Sequence, residues 1–210
     1  MWRYLFYLVV VKPIVLFILG INVRGYEYLP NKGAAILVAN HNSHLDTLAL
    51  LSLFPLRLVK KIRPVAAADY FLSNRFLKWF ALNVMGIIPL KRQVSKSDTS
   101  LFDRVLAALD NEEIVIIFPE GSRGEPEVLG KLKNGIGHLV SERPNIPVIP
   151  VFFHGLGKCL PRGEILLVPF FVDAFIGKAL YFKNNRAEFM EELNHIMLEL
   201  QQQAIHGVQT

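Results

Sequence analysis

The chain has 210 residues, a length that fits one domain with its own hydrophobic core. Its single cysteine, Cys159, excludes an internal disulfide framework, and without paired ligands it argues against structural zinc. A hydrophobic content of 52% with a net charge of +5 favours contact with an anionic membrane surface over nucleic-acid binding.

Residues 1–24 are almost entirely apolar and are predicted to form a membrane-anchoring helix. Arg3 and Lys12 are the only charges before residue 24, and Pro13 follows the lysine. A transmembrane span would place Lys12 near the bilayer centre, at a cost of about 2.5–3.5 kcal/mol. A monotopic helix lets Lys12 reach the headgroups instead. Monotopic, single-span and domain-packed arrangements stay open, and residues 25–210 are predicted to form the second, folded domain.

The rest of the chain alternates between short apolar runs and stretches of helical spacing. The predicted strands are residues 35–39, 64–68, 87–90, 113–118, 146–153 and 165–172. The predicted helices are residues 47–53, 70–82, 98–110, 135–141 and 187–205. This alternation predicts an α/β fold with a mostly parallel mixed sheet flanked by helices.

Three polar motifs follow predicted strands directly: residues 41–46, Lys91 with Arg92, and residues 119–124. Parallel strands present their carboxyl ends at one edge of a sheet, where ligands bind in such folds. The three motifs are therefore expected to meet there.

The first motif offers a candidate acid–base pair, His41 and Asp46. A neutral imidazole takes a proton from an attacking hydroxyl, and a carboxylate on its other ring nitrogen fixes the tautomer. A strand-to-helix turn can join residues at this spacing, whereas a straight helix separates them. His44 is a rival base, and a plain polar turn with a helix cap is the alternative interpretation. The sequence lacks G-x-S-x-G and H-E-x-x-H motifs, so direct attack by a substrate hydroxyl is the predicted chemistry.

The third motif, Phe118 through Gly124, is a turn with two glycines. Arg123 offers a planar fork for a phosphate, and Glu120 could hold that arginine or a substrate hydroxyl. The nearby cations Lys131 and Lys133, together with Arg92, would suit a phosphate-bearing substrate if they share one rim. Taken singly, each of these cations also fits an ordinary solvated surface position.

Taken in order, these motifs resemble the sequence blocks of the glycerolipid acyltransferase family, which includes 1-acyl-sn-glycerol-3-phosphate acyltransferases. Asn40-His41 through Asp46 matches the first block, N-H-x-x-x-x-D, and Gly86 through Arg92 is similar to the second, G-x-x-[FI]-[IV]-x-R. Phe118 through Gly124 is similar to the third block, F-P-E-G-[ST]-R-S, and residues 146–151 are similar to the fourth, V-P-V-x-P-V. Lys133 and Gly135 fall where the family has K-x-G. The chain departs from the blocks at Pro89 and at Gly124. The resemblance spans about residues 25–180.

The resemblance implies a glycerol-3-phosphate acyltransferase-like fold with an N-terminal membrane-docking helix. It implies that His41 is the general base and that Asp46 orients it. The residues that it implies for substrate binding are Arg92, Glu120, Gly121, Arg123, Lys133 and Pro150. No metal and no bound cofactor are implied.

The implied reaction moves a fatty acyl group from acyl-CoA or acyl-carrier protein to 1-acyl-glycerol-3-phosphate, making phosphatidic acid. The expected partners are therefore the bilayer, the lysophospholipid acceptor and the acyl donor. Because that donor is cytosolic, the inner face of the cytoplasmic membrane is the expected location. Alternatives are another acceptor (a headgroup-bearing lysophospholipid, a lyso-aminolipid or glycerol-3-phosphate), a hydrolase that uses water, and a non-catalytic lipid-binding module.

Overall fold

The computed structural model describes residues 2–17, 19–71, 74–90, 102–159 and 170–207. The strands are β1 (Leu19–Arg24), β2 (Ala35–Ala39), β3 (Ile62–Ala67), β4 (Ile88–Leu90), β5 (Ile114–Ile117), β6 (Val148–His154) and β7 (Phe170–Ile176). They form one seven-stranded sheet in the order β1-β7-β6-β2-β5-β3-β4.

All neighbouring strands are parallel except β6 and β7, which pair antiparallel. The central strand β2 lies between β5 and β6, and all of its residues are buried. The predicted α/β fold with a mostly parallel mixed sheet is confirmed. Strands β2 to β6 run in one direction, so their carboxyl ends share one edge of the sheet.

Helices cover both faces of the sheet. They are α1 (Trp2–Phe6), α2 (Lys12–Phe17), α3 (Asp46–Ser52), α4 (Ala68–Phe71), α5 (Arg75–Phe80), α6 (Asp103–Asp110), α7 (Gly135–Glu142), α8 (Leu156–Cys159) and α9 (Arg186–Gly207), with π-helical turns at Tyr7–Val11 and Ala81–Met85. Alternate residues of β2 enter two cores because successive strand side chains point to opposite faces. Leu37 packs with α3 and the N-terminal helices, whereas Ile36 and Val38 pack with α6, α7 and α9.

The predicted helix of residues 1–24 is too long, because the helical segment ends at Phe17 and Leu19–Arg24 forms β1. Buried Leu19 is followed by the exposed residues Gly20, Asn22 and Arg24, a period of two that fits a strand paired with β7. Within the described residues, no helix combines the length and the apolar character needed to cross a membrane. Membrane anchoring by this segment stays a prediction.

Arg3 turns into the domain. Its guanidinium donates hydrogen bonds to the backbone carbonyls of Lys60, Ile62 and Met85. Burial is the main cause that lowers the pKa of Arg3 to about 10. These contacts fix the first turn of the chain against the start of β3.

The predicted helix of residues 70–82 is divided in the structure. Its start lies in α4, and a separate helix begins after Asn74, whose side chain accepts the N–H of Phe76 at 2.8 Å. Two other predicted elements extend beyond the described residues. Helix α6 begins at Asp103, and residues 98–101 of the predicted helix lie outside the described residues. Strand β7 contains residues 170–172 of the predicted strand, and residues 165–169 also lie outside the described part.

Candidate active site

Asn40 fixes the point at which the chain leaves β2. Its side-chain nitrogen donates to the carbonyl of Phe153 at 2.9 Å, and its amide oxygen accepts the N–H of the same residue at 2.8 Å. Asn40 therefore satisfies both backbone groups of a buried residue on β6. Asn40 was not among the predicted site residues, although an asparagine directly after a buried strand is a usable sequence signal for such a closure.

The turn after β2 brings His41 and Asp46 into contact. The Nδ1 atom of His41 lies 2.7 Å from Oδ2 of Asp46, and this carboxylate is 1% exposed. The same oxygen accepts the N–H groups of Asn42 at 2.8 Å and of Ser43 at 2.9 Å. A carboxylate only accepts hydrogen bonds, so Nδ1 carries the imidazole proton and Nε2 keeps its lone pair.

The ring of His41 is held on its face as well as at Nδ1. It stacks on Phe118, which follows β5, with ring centroids 4.3 Å apart and planes at 21°. The side chain of His41 remains 22% exposed. The imidazole is thus fixed in orientation but open to a substrate, as a general base must be.

Glu120 braces the backbone of His41. One carboxylate oxygen accepts the N–H of His41 at 2.8 Å, and the other accepts the N–H of Gly130 at 3.2 Å. The carbonyl of His41 in turn accepts the N–H of Gly124 at 2.9 Å. Burial raises the pKa of Glu120, while the two N–H donors oppose that change. Both oxygens therefore contact the protein backbone. Glu120 also lines the cavity described next, and its contact with a substrate stays a prediction.

A cavity of about 500 Å³ opens beside this turn. Its lining includes Glu120, Ser122, Gly124, Lys131, Lys133 and Asn134. Gly121 has a φ of +73°, and a Cβ at this position would collide with the side chain of Lys133. The structure thus brings Gly121, Glu120 and Lys133 together, and the cavity carries positive charge on the Lys131 and Lys133 side.

Arg123 contacts the second histidine of the first motif. Its Nη1 atom meets Nε2 of His44. Burial is the main cause that lowers the pKa of His44, and the charges of Arg123 and His41 lower it further. His44 is the alternative general base that the sequence offers. The carboxylate of Asp46, however, contacts His41 and not His44.

Two predicted site residues are not in this group. Pro150 lies within β6, paired with Val38, and its carbonyl accepts the N–H of Gly177 at 2.8 Å. It is buried four residues before the strand's last residue, His154, so the structure does not bring it to the turn. Arg92 falls outside the described residues, and β4 ends two positions before it.

A second histidine–carboxylate pair adjoins the site and was missed. Oε2 of Glu127 lies 2.7 Å from Nδ1 of His154, and both oxygens of Glu127 accept the N–H of Gly155 at 3.0 Å. The amide of Asn42, in the orientation that satisfies its neighbours, joins the N–H of Glu127 to the carbonyl of His41. Positions this distant in sequence gave no spacing signal.

The described part of the chain contains no group of three or more His, Cys, Asp or Glu side chains arranged to hold a metal ion. The arrangement of His41 and Asp46 beside a cationic cavity can perform proton transfer on a substrate that carries an anionic group. Lys131 and Lys133, which line this cavity, both follow β5 in the chain.

Comparisons with known proteins match most of this chain. A family model described as Acyltransferase matches residues 20–154. Over 145 residues, 69% of this chain and 38% of the relative, the protein is 33% identical to a chloroplastic 1-acyl-sn-glycerol-3-phosphate acyltransferase of Arabidopsis thaliana. It is 30% identical to a 1-acyl-sn-glycerol-3-phosphate acyltransferase of Pseudomonas aeruginosa, over 82% of this chain and 64% of the relative. The chain thus spans less than two thirds of these relatives.

The fold also has a known counterpart. The crystal structure of the 1-acyl-sn-glycerophosphate acyltransferase PlsC from Thermotoga maritima superimposes with a TM-score of 0.72, covering 94% of this chain and 76% of that chain. At 18% sequence identity, this likeness concerns the fold. The family match extends from β1 to the end of β6 and contains His41, Asp46 and the turn of Glu120. The chain therefore belongs to the acyltransferase family.

Proposed function

We propose that this protein transfers a fatty acyl group from an acyl thioester to the free hydroxyl of 1-acyl-glycerol-3-phosphate, making phosphatidic acid for phospholipid synthesis. The observation that carries the proposal is the 2.7 Å contact between Nδ1 of His41 and the buried carboxylate of Asp46. It leaves Nε2 as the proton acceptor on a partly exposed ring.

The reaction follows from this pair. The acceptor hydroxyl gives its proton to Nε2 of His41 while its oxygen attacks the thioester carbonyl carbon. Asp46 stabilises the imidazolium that forms. The tetrahedral intermediate then collapses, the carbon–sulfur bond breaks, and the imidazolium returns a proton to the leaving thiolate. The products are an ester and a thiol, and the mechanism uses no acyl-enzyme, bound cofactor or metal ion.

The charges beside His41 support a phosphate-bearing acceptor. Lys131 and Lys133 line the cavity. Arg123 directly precedes Gly124, whose N–H donates to the carbonyl of His41. A guanidinium and ammonium groups are the side chains that bind phosphate. The names of the relatives above support 1-acyl-glycerol-3-phosphate among such acceptors. Acyl-CoA and acyl-carrier protein both offer the required thioester.

An exposed aromatic surface supports work at a membrane. Trp2 is 53% exposed, Phe76 is 73% exposed and Trp79 is 42% exposed, and the two tryptophan rings lie 5.9 Å apart. Arg75 and Lys78 are exposed on the same helix as Phe76. Aromatic and basic side chains together suit the headgroup region of an anionic bilayer. We infer a monotopic association with the inner face of the cytoplasmic membrane, where the donor is available.

The test is a product analysis with a matched set of acceptors. The purified protein in mixed micelles is given long-chain acyl-CoA or acyl-carrier protein with 1-acyl-glycerol-3-phosphate, glycerol-3-phosphate, a headgroup-bearing lysophospholipid or no acceptor. We expect phosphatidic acid as the main product, in amounts equal to the thiol released. A preference for another acceptor would contradict the assignment of 1-acyl-glycerol-3-phosphate as the substrate. Release of free fatty acid without an acceptor would show that the reaction is thioester hydrolysis rather than acyl transfer.

A further inference from the structure

The guanidinium of Arg123 is held by an imidazole rather than by a carboxylate. Its contact is with Nε2 of His44, and within the described residues it forms no ion pair. Arg123 precedes Gly124, whose N–H binds the carbonyl of His41 at 2.9 Å. The backbone at Arg123 therefore has a fixed place next to the base.

The neutrality of this partner has a chemical consequence. A guanidinium has five N–H donors, and the contact with His44 uses one of them. A carboxylate partner would cancel its charge and occupy the fork that binds phosphate. A neutral imidazole orients the side chain but leaves its full positive charge and its remaining donors for a ligand.

The surroundings of His44 favour its neutral form over its charged form. Burial, Arg123 and His41 lower its pKa, and among the charged groups that act on it only Asp46 opposes them. The carboxylate of Asp46 is already engaged by His41 and by the N–H groups of Asn42 and Ser43. Nε2 of His44 therefore has its lone pair free to accept the Arg123 hydrogen bond.

We propose that His44 is a positioning residue whose neutral imidazole accepts a hydrogen bond from Arg123 and holds it in the place where it binds the phosphate of the acceptor. This inference rests on the proposed function, because it assigns the phosphate of that acceptor to Arg123. In 1-acyl-glycerol-3-phosphate the free hydroxyl and the phosphate are attached to adjacent carbons. A phosphate held at Arg123 would thus place the hydroxyl near the base.

Three substitutions test whether His44 positions Arg123 as a neutral hydrogen-bond acceptor or has another role. His44→Ala removes the hydrogen-bond acceptor, His44→Gln keeps a neutral one, and His44→Glu replaces it by a charged one. We expect the KM for the phosphate acceptor to rise about tenfold in His44→Ala, corresponding to about 1.4 kcal/mol. It should rise less than about threefold in His44→Gln and more than tenfold in His44→Glu, because the glutamate neutralises Arg123. The KM for the acyl donor and kcat should stay within about threefold.

A double-mutant cycle tests whether His44 acts through Arg123. In an Arg123→Ala background, His44→Ala should change the acceptor KM by less than about twofold. Calorimetric binding of a short-chain 1-acyl-glycerol-3-phosphate without donor should show the same order of affinities. Monoacylglycerol, which lacks the phosphate, should bind all variants alike.

The outcomes are distinguishable. If wild-type protein transfers acyl groups to the phosphate acceptor but the His44 variants share its acceptor KM, the positioning role is wrong and the proposed function stands. A large loss of kcat at unchanged KM would place His44 in the chemical step instead. If the wild type neither binds nor acylates the phosphate acceptor, both the function and this inference are wrong.

Discussion

The carboxylate of Glu120 accepts the backbone N–H of His41 at 2.8 Å, across 79 positions of sequence. Its other oxygen accepts the N–H of Gly130, on the far side of the same loop. The loop that lines the cationic cavity therefore also supports the base. A displacement of this loop would move the base and the acceptor site together. Glu120 is therefore a residue that positions His41.

We expect Glu120→Gln to lower kcat by about 10–100-fold while the protein remains folded. A glutamine has one accepting oxygen, so its NH₂ group would face one of the two N–H donors and leave it unsatisfied, at a cost of about 1–3 kcal/mol. Steady-state kinetics with saturating acceptor measure the effect. Glu125→Gln, at an exposed position of the same loop, is the control and should match the wild type.

The pH dependence of stability gives a second measurement on Glu120. Burial raises its pKa above the usual value of 4.5, so the folded protein binds this proton more tightly than the unfolded chain. Its contribution to stability is present below 4.5 and is lost as the pH rises through the raised value. Denaturant titrations at several pH values give the free energy of unfolding of the wild type and of Glu120→Gln. Plotted against pH, the two free energies should have different slopes in that interval. Equal slopes would contradict the raised pKa of Glu120.

Asp46→Asn should reduce kcat by about 10³–10⁴-fold, the size expected when the carboxylate of such a pair becomes an amide. An amide oxygen facing Nδ1 of His41 carries no charge to stabilise the imidazolium. An amide nitrogen there would donate to Nδ1 and select the wrong tautomer. Turnover within about fivefold of the wild type would show that Asp46 is only a cap of the turn.

Asn40→Ala should destabilise the fold by about 2–3 kcal/mol, because it leaves the buried N–H and C=O of Phe153 without partners. For a domain of this size that corresponds to a Tm lower by about 4–12 °C. The matched control is Asn83→Ala, which removes an exposed hydrogen bond to the carbonyl of Trp79. An equal Tm for both variants would contradict the role of Asn40.

Replacing Trp2, Phe76 and Trp79 by serine should weaken binding to vesicles of mixed zwitterionic and anionic phospholipid at least about tenfold, because apolar area leaves the bilayer. Sedimentation with the vesicles measures the partition. Leu198 and Ile205 are also exposed, but they lie on α9, which covers the opposite face of the sheet. Serine substitutions at both should leave binding unchanged, and equal losses in the two variants would contradict a specific docking surface.

Much of the sheet could be predicted because a buried strand is recognisable from a short run of consecutive apolar residues. The run 35–39 predicted β2 with its bounds, and the placement of polar motifs after strands correctly predicted that His41 and Glu120 would share one edge. The strand β1 was missed because Leu19–Arg24 continues an apolar helix in sequence. Its alternation becomes visible only once β7 lies beside it.

The details of the site depended on contacts that one sequence cannot specify. The two protein partners of Glu120 are backbone N–H groups, which have no residue-type signature, so its support of His41 was not predicted. The pair of Glu127 and His154 joins the loop after β5 to the end of β6 through tertiary packing alone. Pro150 was expected at the site from its motif, but the strand positions it under α9, where Ile196 and Leu200 pack near Gly177.

The most direct test of the central claim is acceptor-dependent thiol release from long-chain acyl-CoA by wild-type protein and by His41→Ala, with thermal unfolding as the check on folding. We expect the wild type to release thiol only when 1-acyl-glycerol-3-phosphate is present. His41→Ala should lower that rate by about 10²–10⁴-fold, the usual contribution of a general base. Turnover of a folded His41→Ala protein within about fivefold of the wild type would contradict the assignment of His41 as the base.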